Sequence, residues 1–309
     1  MKTDLKKRIY QAQCIGNVEP IEYMIPYPSM RSLIEGQNIK FAEQVIFEKL
    51  SITNLKFYEL IQQTAHWLDS IRLKPKERII LTELDFPQTE ILLFGIWHLG
   101  AIAVIPANES LSSIKKYCDT NLVIESGINL FDAIKSLPTR FEPKYKPLLD
   151  DEALVTFEKG AGIRLSHYNL LVNTNSIQKV IKLKSRTRFS CNLKPISSAW
   201  AVLKAILPIY CGCIIDNKNP EFTIGESDSD SDFIIRKDLK NLKDFRNNEL
   251  AICPENSAVL TKGKTPLHLT DLAIYQRLLK IQGHSIMMGY LDDKLNEKSF
   301  YDNAFHLKS

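Results

Sequence analysis

A chain of 309 residues with 44% apolar and 25% charged residues has enough material for one large core or two medium ones. Forty basic against 36 acidic residues leave a net charge of only +4, which excludes a disordered polyelectrolyte and is small for a nucleic-acid binder. The composition also excludes a collagen, a disulfide scaffold and a membrane bundle.

The first eight residues, Met1 to Arg8, are charged, and no apolar run follows them, so no secretory signal is visible. Residues 54–71 predict an amphipathic helix with Phe57, Ile61, Ala65, Leu68 and Ile71 on one face. Arg78 to Thr82 reads as a short strand. Pro87 sits in the first turn of a helix running through Leu93 and Trp97 to Gly100. Ala101 to Ile105 predicts a buried strand, Leu111 to Tyr117 a helix, and Leu122 to Ile124 another strand. The longest apolar stretch, Ile91 to Ala107, carries His98 and is broken by Gly100 and Pro106. It falls short of the roughly 20 residues that a membrane span needs, and a reducing cytoplasmic compartment is expected. Ser136 to Pro147, rich in Pro, Lys and Arg, reads as a linker.

A second unit opens at Asp150. Ala153 to Phe157 predicts a strand. Ser166 is placed to cap a helix in which Leu170, Leu171, Thr174, Ile177 and Ile181 recur at helical spacing. Ser198 to Leu207 predicts a further helix and Gly212 to Ile215 a strand. Gly225 to Asp232 reads as an acidic loop, and Ala258–Leu260 and Leu278–Ile281 as strands of a small sheet. Buried strands alternating with helices indicate an α/β fold: two stacked βαβ-type subdomains with mostly parallel sheets, plus a small β remnant at the C-terminus. The expected boundaries are 1–148, 149–225 and 226–309.

Chemical motifs are sparse. Cys211-Gly212-Cys213 is the closest cysteine pair, and its C-x-C spacing lacks the second pair a zinc site needs, so buried or free thiols are expected and no metal or cofactor. Asp228 to Asp232 mimics the start of a calcium loop. Phe233 stands where that loop needs glycine and Leu239 where it needs glutamate, which leaves a solvated acidic loop. Ser166 and His167 are neighbours whose side chains diverge at a helix start, so Ser166 reads as a cap rather than as a nucleophile. From Glu158 to Tyr210 there are nine basic residues and one acidic residue. Lys179, Lys182, Lys184, Arg186, Arg188 and Lys194 form the densest part. They read either as a solvated face or as a patch docking an acidic protein surface. No aromatic-interleaved motif accompanies them, so nucleic acid is not expected.

Several strings, in order, resemble the N-terminal part of the adenylate-forming superfamily of acyl-CoA synthetases, adenylation domains and luciferases. Leu73–Ile80 (LKPKERII) is similar to its "G-x-x-x-G-D-x-V" strand, without the glycines. Phe94–Pro106 (FGIWHLGAIAVIP) is similar to its "A-x-x-x-A-G-A-x-x-x-P" segment. Asp151–Phe157 (DEALVTF) and Leu165–Leu170 (LSHYNL) resemble the approach to, and the exit from, its phosphate loop. Ile281–Leu291 (IQGHSIMMGYL) and Phe300–His306 (FYDNAFH) resemble "v-x-G-x-x-v-m-x-G-Y" and "F-x-x-x-x-F-H-T-G-D".

The resemblance implies a phosphate-binding loop of the type Y-T-S-G-T-T-G-x-P-K-G-V-x-L-S-H, sixteen positions long. Here the interval Phe157–His167 holds eleven, and the Ser/Thr cluster is gone. Glu158 brings an anionic side chain beside the place implied for the triphosphate. Ala161 takes the position of the loop lysine when the strings are aligned from His167, and Lys159 is out of register. Lys159, Gly160, Gly162, Ser166 and His167 are therefore expected as vestigial loop positions. No aromatic-Gly-x-Thr-Glu string stands between Gly212 and Gly289, and Leu307-Lys308-Ser309 replaces Thr-Gly-Asp. The family's C-terminal domain, with its catalytic lysine, is not in the sequence. Adenylation needs the phosphates, magnesium and ribose held together. The expectation is thus a catalytically inactive protein, not expected to bind ATP, that serves as a binding or structural subunit of a larger protein complex; a bacterial secretion or coupling machine is one setting. The alternative is a protein that retains an acyl or aryl pocket, or residual AMP-forming ligase activity.

Overall fold

Helix Asn54–Ser70 begins where the Thr53 hydroxyl accepts a hydrogen bond from the Lys56 N–H. Its apolar residues Phe57, Ile61, Ala65 and Leu68 are buried, whereas Ile71 lies past the last turn and is exposed. Helix Gln88–Leu99 is buried on every side. A helix in that position can carry apolar residues around its whole circumference, and the run from Ile91 to Leu99 does so. It stops at Gly100, whose φ of 82° suits a residue without Cβ. Trp97 Nε1–H donates to the Ala153 carbonyl at 2.8 Å. Phe94 stands edge-on to Phe57, and Phe57 edge-on to Phe47. These contacts tie the helix pair to two different sheets, and most of the buried apolar side chains form one continuous core.

The computed structural model describes residues 2–226, 231–276 and 278–308. A four-stranded sheet has the order Arg78–Ile80, Ile102–Ile105, Glu152–Glu158, Ala161–Ser166; the first three strands run parallel and the last antiparallel. A nine-stranded sheet runs from Thr265–Pro266 through Val259–Lys262, Glu249–Ile252, Phe233–Arg236, Phe222–Gly225, Arg188–Cys191, Ile214–Ile215 and Val45–Phe47 to Ile52–Thr53. The six strands from Glu249–Ile252 to Val45–Phe47 run parallel to one another, and the strands added outside them at either end pair antiparallel. A third, antiparallel sheet has the order Thr270–Tyr275, Leu278–Gly283, Ala304–Lys308, Phe300–Tyr301. The expected α/β architecture with a small C-terminal β part is present.

The sheets do not follow the boundaries placed at 148/149 and 225/226. Ile102–Ile105 pairs with Glu152–Glu158 across the first, and Phe222–Gly225 pairs with Phe233–Arg236 across the second. Phe47 pairs with Ile215, so residues 45–53 complete the nine-stranded sheet. Helix Lys2–Gln13 lies against the third sheet, where Arg8 Nη1 donates to the Phe300 carbonyl at 2.8 Å and Gln13 Nε2 to the Ile286 and Met287 carbonyls.

Three local expectations also change. Residues 122–124 form a single bridge, Ile80 with Val123, not a strand of their own. Residues 136–147 are a packed strap: Gln62 accepts from the Phe141 N–H, and Phe141's carbonyl lies 3.1 Å from His98 Nε2. The helix expected over 198–207 is a π-helical segment, Trp200–Ile206, followed by the α turn Leu207–Cys211. Pro208 has no N–H for the Lys204 carbonyl, which disfavours regular α winding there. The acidic stretch Gly225 to Asp232 falls partly outside the described residues.

Candidate functional site

Where the resemblance implies a long phosphate loop, the chain makes a two-residue turn. Glu152–Glu158 and Ala161–Ser166 pair up to Glu158 opposite Ala161, leaving only Lys159 and Gly160 between them. Both have positive φ, 49° and 81°, the combination of a type I′ hairpin turn. The other edge of Ala161–Ser166 is taken as well. The Leu291 N–H donates to the Gly162 carbonyl at 2.8 Å, Met288 N–H to the Arg164 carbonyl at 2.8 Å, and Arg164 N–H to the Gly289 carbonyl at 3.1 Å. A Cβ on Gly162 would stand 2.5 Å from Leu291 Cδ1, so the glycine admits that side chain rather than a ligand. Glu152, almost wholly buried, holds the base of the hairpin between Arg78 at 2.8 Å and Arg164 at 2.6 Å. Lys159 is exposed at the tip.

Ser166 and His167 are committed elsewhere. Ser166 Oγ accepts from the Asn169 N–H at 3.1 Å, and Asn169 Oδ1 accepts from the Ser166 N–H at 3.0 Å, a reciprocal cap on helix His167–Ile181. His167 is buried edge-on to Trp97, and burial lowers its pKa to about 4. The five loop positions therefore hold a turn, a strand and a cap, and they do not converge on a common point.

Helix His167–Ile181 contributes a feature that the sequence reading missed. Asn169 Nδ2 donates to the His284 and Ile286 carbonyls at 3.0 and 2.9 Å. Asn173 Nδ2 donates to the Val259 carbonyl at 2.9 Å, and its Oδ1 accepts from the Val259 N–H at 3.1 Å. Ser176 donates to the His268 carbonyl at 2.9 Å. The available signal was the spacing i, i+4, i+7 of these polar residues along one helix face. They fasten segments 256–259 and 284–286 to the helix. Those segments also bind each other, through Ser257 Oγ–H to the Ser285 carbonyl at 2.7 Å and Met287 N–H to the Glu255 carbonyl at 2.9 Å. Tyr290 donates to Glu255 Oε1 at 3.2 Å. Burial pushes the Glu255 carboxyl pKa up, so it favours the neutral form.

The basic residues differ in their surroundings. Arg188 pairs with Asp216 and with Glu48 at 3.5 Å inside the large sheet. Lys179 Nζ donates to the Tyr23 hydroxyl at 2.6 Å and lies over its ring. Lys194 is beyond the far end of strand Arg188–Cys191. What remains together is Lys182, Lys184 and Arg186, all exposed, in the connection between helix and strand.

All six cysteines are free thiols, and among the described residues no group of three His, Cys, Asp or Glu side chains is arranged to hold a metal. Among those residues, no helix is long and apolar enough to cross a membrane. Recesses among the described residues include two away from the hairpin. One is lined by residues of 29–39, 58 and 142–147, the other by residues of 83–88 and 127–129. Neither borders the 159–160 turn.

Solved structures show what this arrangement is similar to. The anthranilate CoA ligase AuaEII in complex with anthranoyl-AMP superposes with a TM-score of 0.70 at 14% identity, over 92% of this chain and 74% of its own. The N-terminal domain of FACL13 from Mycobacterium tuberculosis gives 0.71 at 13% identity, over 90% and 95%. The N-terminal subdomain of Klebsiella oxytoca NpsA in complex with 3-hydroxyanthranilyl-AMSN gives 0.71 at 14% identity, over 91% and 95%. The chain has the adenylate-forming fold. At these identities the likeness is one of fold. No protein-family model matches the sequence, and no curated protein does either.

Proposed function

We propose that this chain is a catalytically inactive protein of adenylate-forming fold that works as a binding or structural subunit of a larger protein complex. The two-residue turn at Lys159-Gly160 carries this reading. A phosphate loop works by turning several backbone N–H groups toward one point, usually with hydroxyl groups beside them. Strand Ala161–Ser166 is instead paired on both edges, and no Ser or Thr stands between Phe157 and Leu165. Glu158, exposed at the strand end, adds negative charge where a polyphosphate would need positive. A fold that keeps its core and loses its site remains a rigid body with a usable surface. Lys182, Lys184 and Arg186, which make no ion pair among the described residues, are the favoured docking point for an acidic protein surface.

ATP–pyrophosphate exchange with a panel of carboxylic acids tests the reading. The expected result is exchange at the level of the protein-free control, together with capture of a defined partner by the wild-type chain and loss of that partner in K182E/K184E/R186E. Exchange above background supports the other reading, residual ligase activity, and overturns this one.

A further inference from the structure

One recess lies between helix Met30–Phe41, helix Asn54–Ser70 and the strap 136–147. Its volume is about 520 Å³, within the range of small-ligand sites. Arg31 lines it with a side chain only 6% exposed. Arg31 Nε donates to Glu35 at 2.9 Å and the guanidinium also pairs with Glu142, while Nη1 has no partner. Asn38 Oδ1 is buried without a partner too. Lys146 is exposed at the rim and makes no ion pair among the described residues. Tyr58 and Ile39, the latter 84% exposed, supply apolar surface.

The four charged groups sum to zero. A ligand with a single charge of either sign would gain two attractions and face two repulsions here. A molecule carrying both signs matches all four. The two orphaned atoms ask for the same thing, since Nη1 needs an acceptor and Asn38 Oδ1 needs a donor. Glu142 is 66% exposed, so it can leave Arg31 for water at little cost.

We propose that this recess binds a small ammonium–carboxylate zwitterion. The carboxylate replaces Glu142 at Arg31 and approaches Lys146. The ammonium meets Glu35 and Asn38, and the apolar remainder rests on Tyr58 and Ile39. None of these residues belongs to the 157–167 hairpin on which the proposed function rests.

Calorimetric titration of the chain with three molecules of one shape tests it: L-phenylalanine (both charges), 3-phenylpropanoate (carboxylate only) and 2-phenylethylamine (ammonium only). Saturable binding of L-phenylalanine, about tenfold tighter than either analogue, is expected. Glu35→Gln and Lys146→Ser should each weaken it about fivefold. Both sites are partly or fully exposed, and an unchanged thermal midpoint confirms that the variants fold. The proposal is overturned if L-phenylalanine shows no saturable binding, if an analogue binds as tightly, or if both variants bind undiminished.

Discussion

The proposed function rests on the turn at Lys159 and Gly160, and both residues can be tested singly. Gly160 holds φ at 81°, a region that costs a side chain with Cβ about 1–2 kcal/mol, so Gly160→Val should lower stability by that amount in urea unfolding. Lys159→Asn should instead raise it by a few tenths of a kcal/mol, since Asn-Gly suits this turn better than Lys-Gly. Ser166→Ala should cost about 1 kcal/mol through loss of the cap. Two buried histidines give a pH prediction. Burial lowers the pKa values of His98 and His167 to about 4, against about 6.5 when unfolded. Above pH 6.5 both states are neutral. Between pH 6.5 and 4 the unfolded chain takes up protons that the folded chain refuses, so each histidine withdraws up to about 3 kcal/mol of stability as pH falls. Glu90 and Glu255, with pKa values raised by burial, slope the other way. His167→Phe isolates one contribution: its unfolding midpoint should fall less than wild type's between pH 6.5 and 4.5. At this scale the Ser166 cap and Gly100 stop were readable from local chemistry. The turn was not, because lysine carries no preference for positive φ and only the pairing of the flanking strands puts it there.

At the level of elements, polar side chains on helix His167–Ile181 join parts of the chain that are distant in sequence. Asn173→Ala removes a donor and an acceptor that serve the backbone of 256–259 and should cost about 1–3 kcal/mol, read as a lower urea midpoint. The same substitution at the exposed Asn192 should be close to neutral. Long, strongly periodic helices such as Asn54–Ser70 and His167–Ile181 were legible because their burial pattern repeats within the element. Short strands such as Val45–Phe47 and Phe222–Gly225 carry too little pattern of their own, and their pairing is set by contacts far along the chain. The π-helical segment shows the same limit: Pro208 marks a break but not its form.

For the whole molecule, the order of motifs was enough to indicate the fold, whereas the units drawn along the sequence were not those of the structure. Residues 45–53 complete a sheet built mainly from 188–266, and helix Lys2–Gln13 packs against the last sheet. Sequence order cannot show such returns, because a sheet is completed by whichever strand reaches its edge. The departures from the family pattern fall on the interval 157–167. The interval 157–167 is short because it is a hairpin, and on the proposed reading such a hairpin does not gather N–H groups around a phosphate. Calorimetric titration with ATP and magnesium tests this most directly. No saturable binding up to about 1 mM is predicted, and binding in the micromolar range would contradict the account.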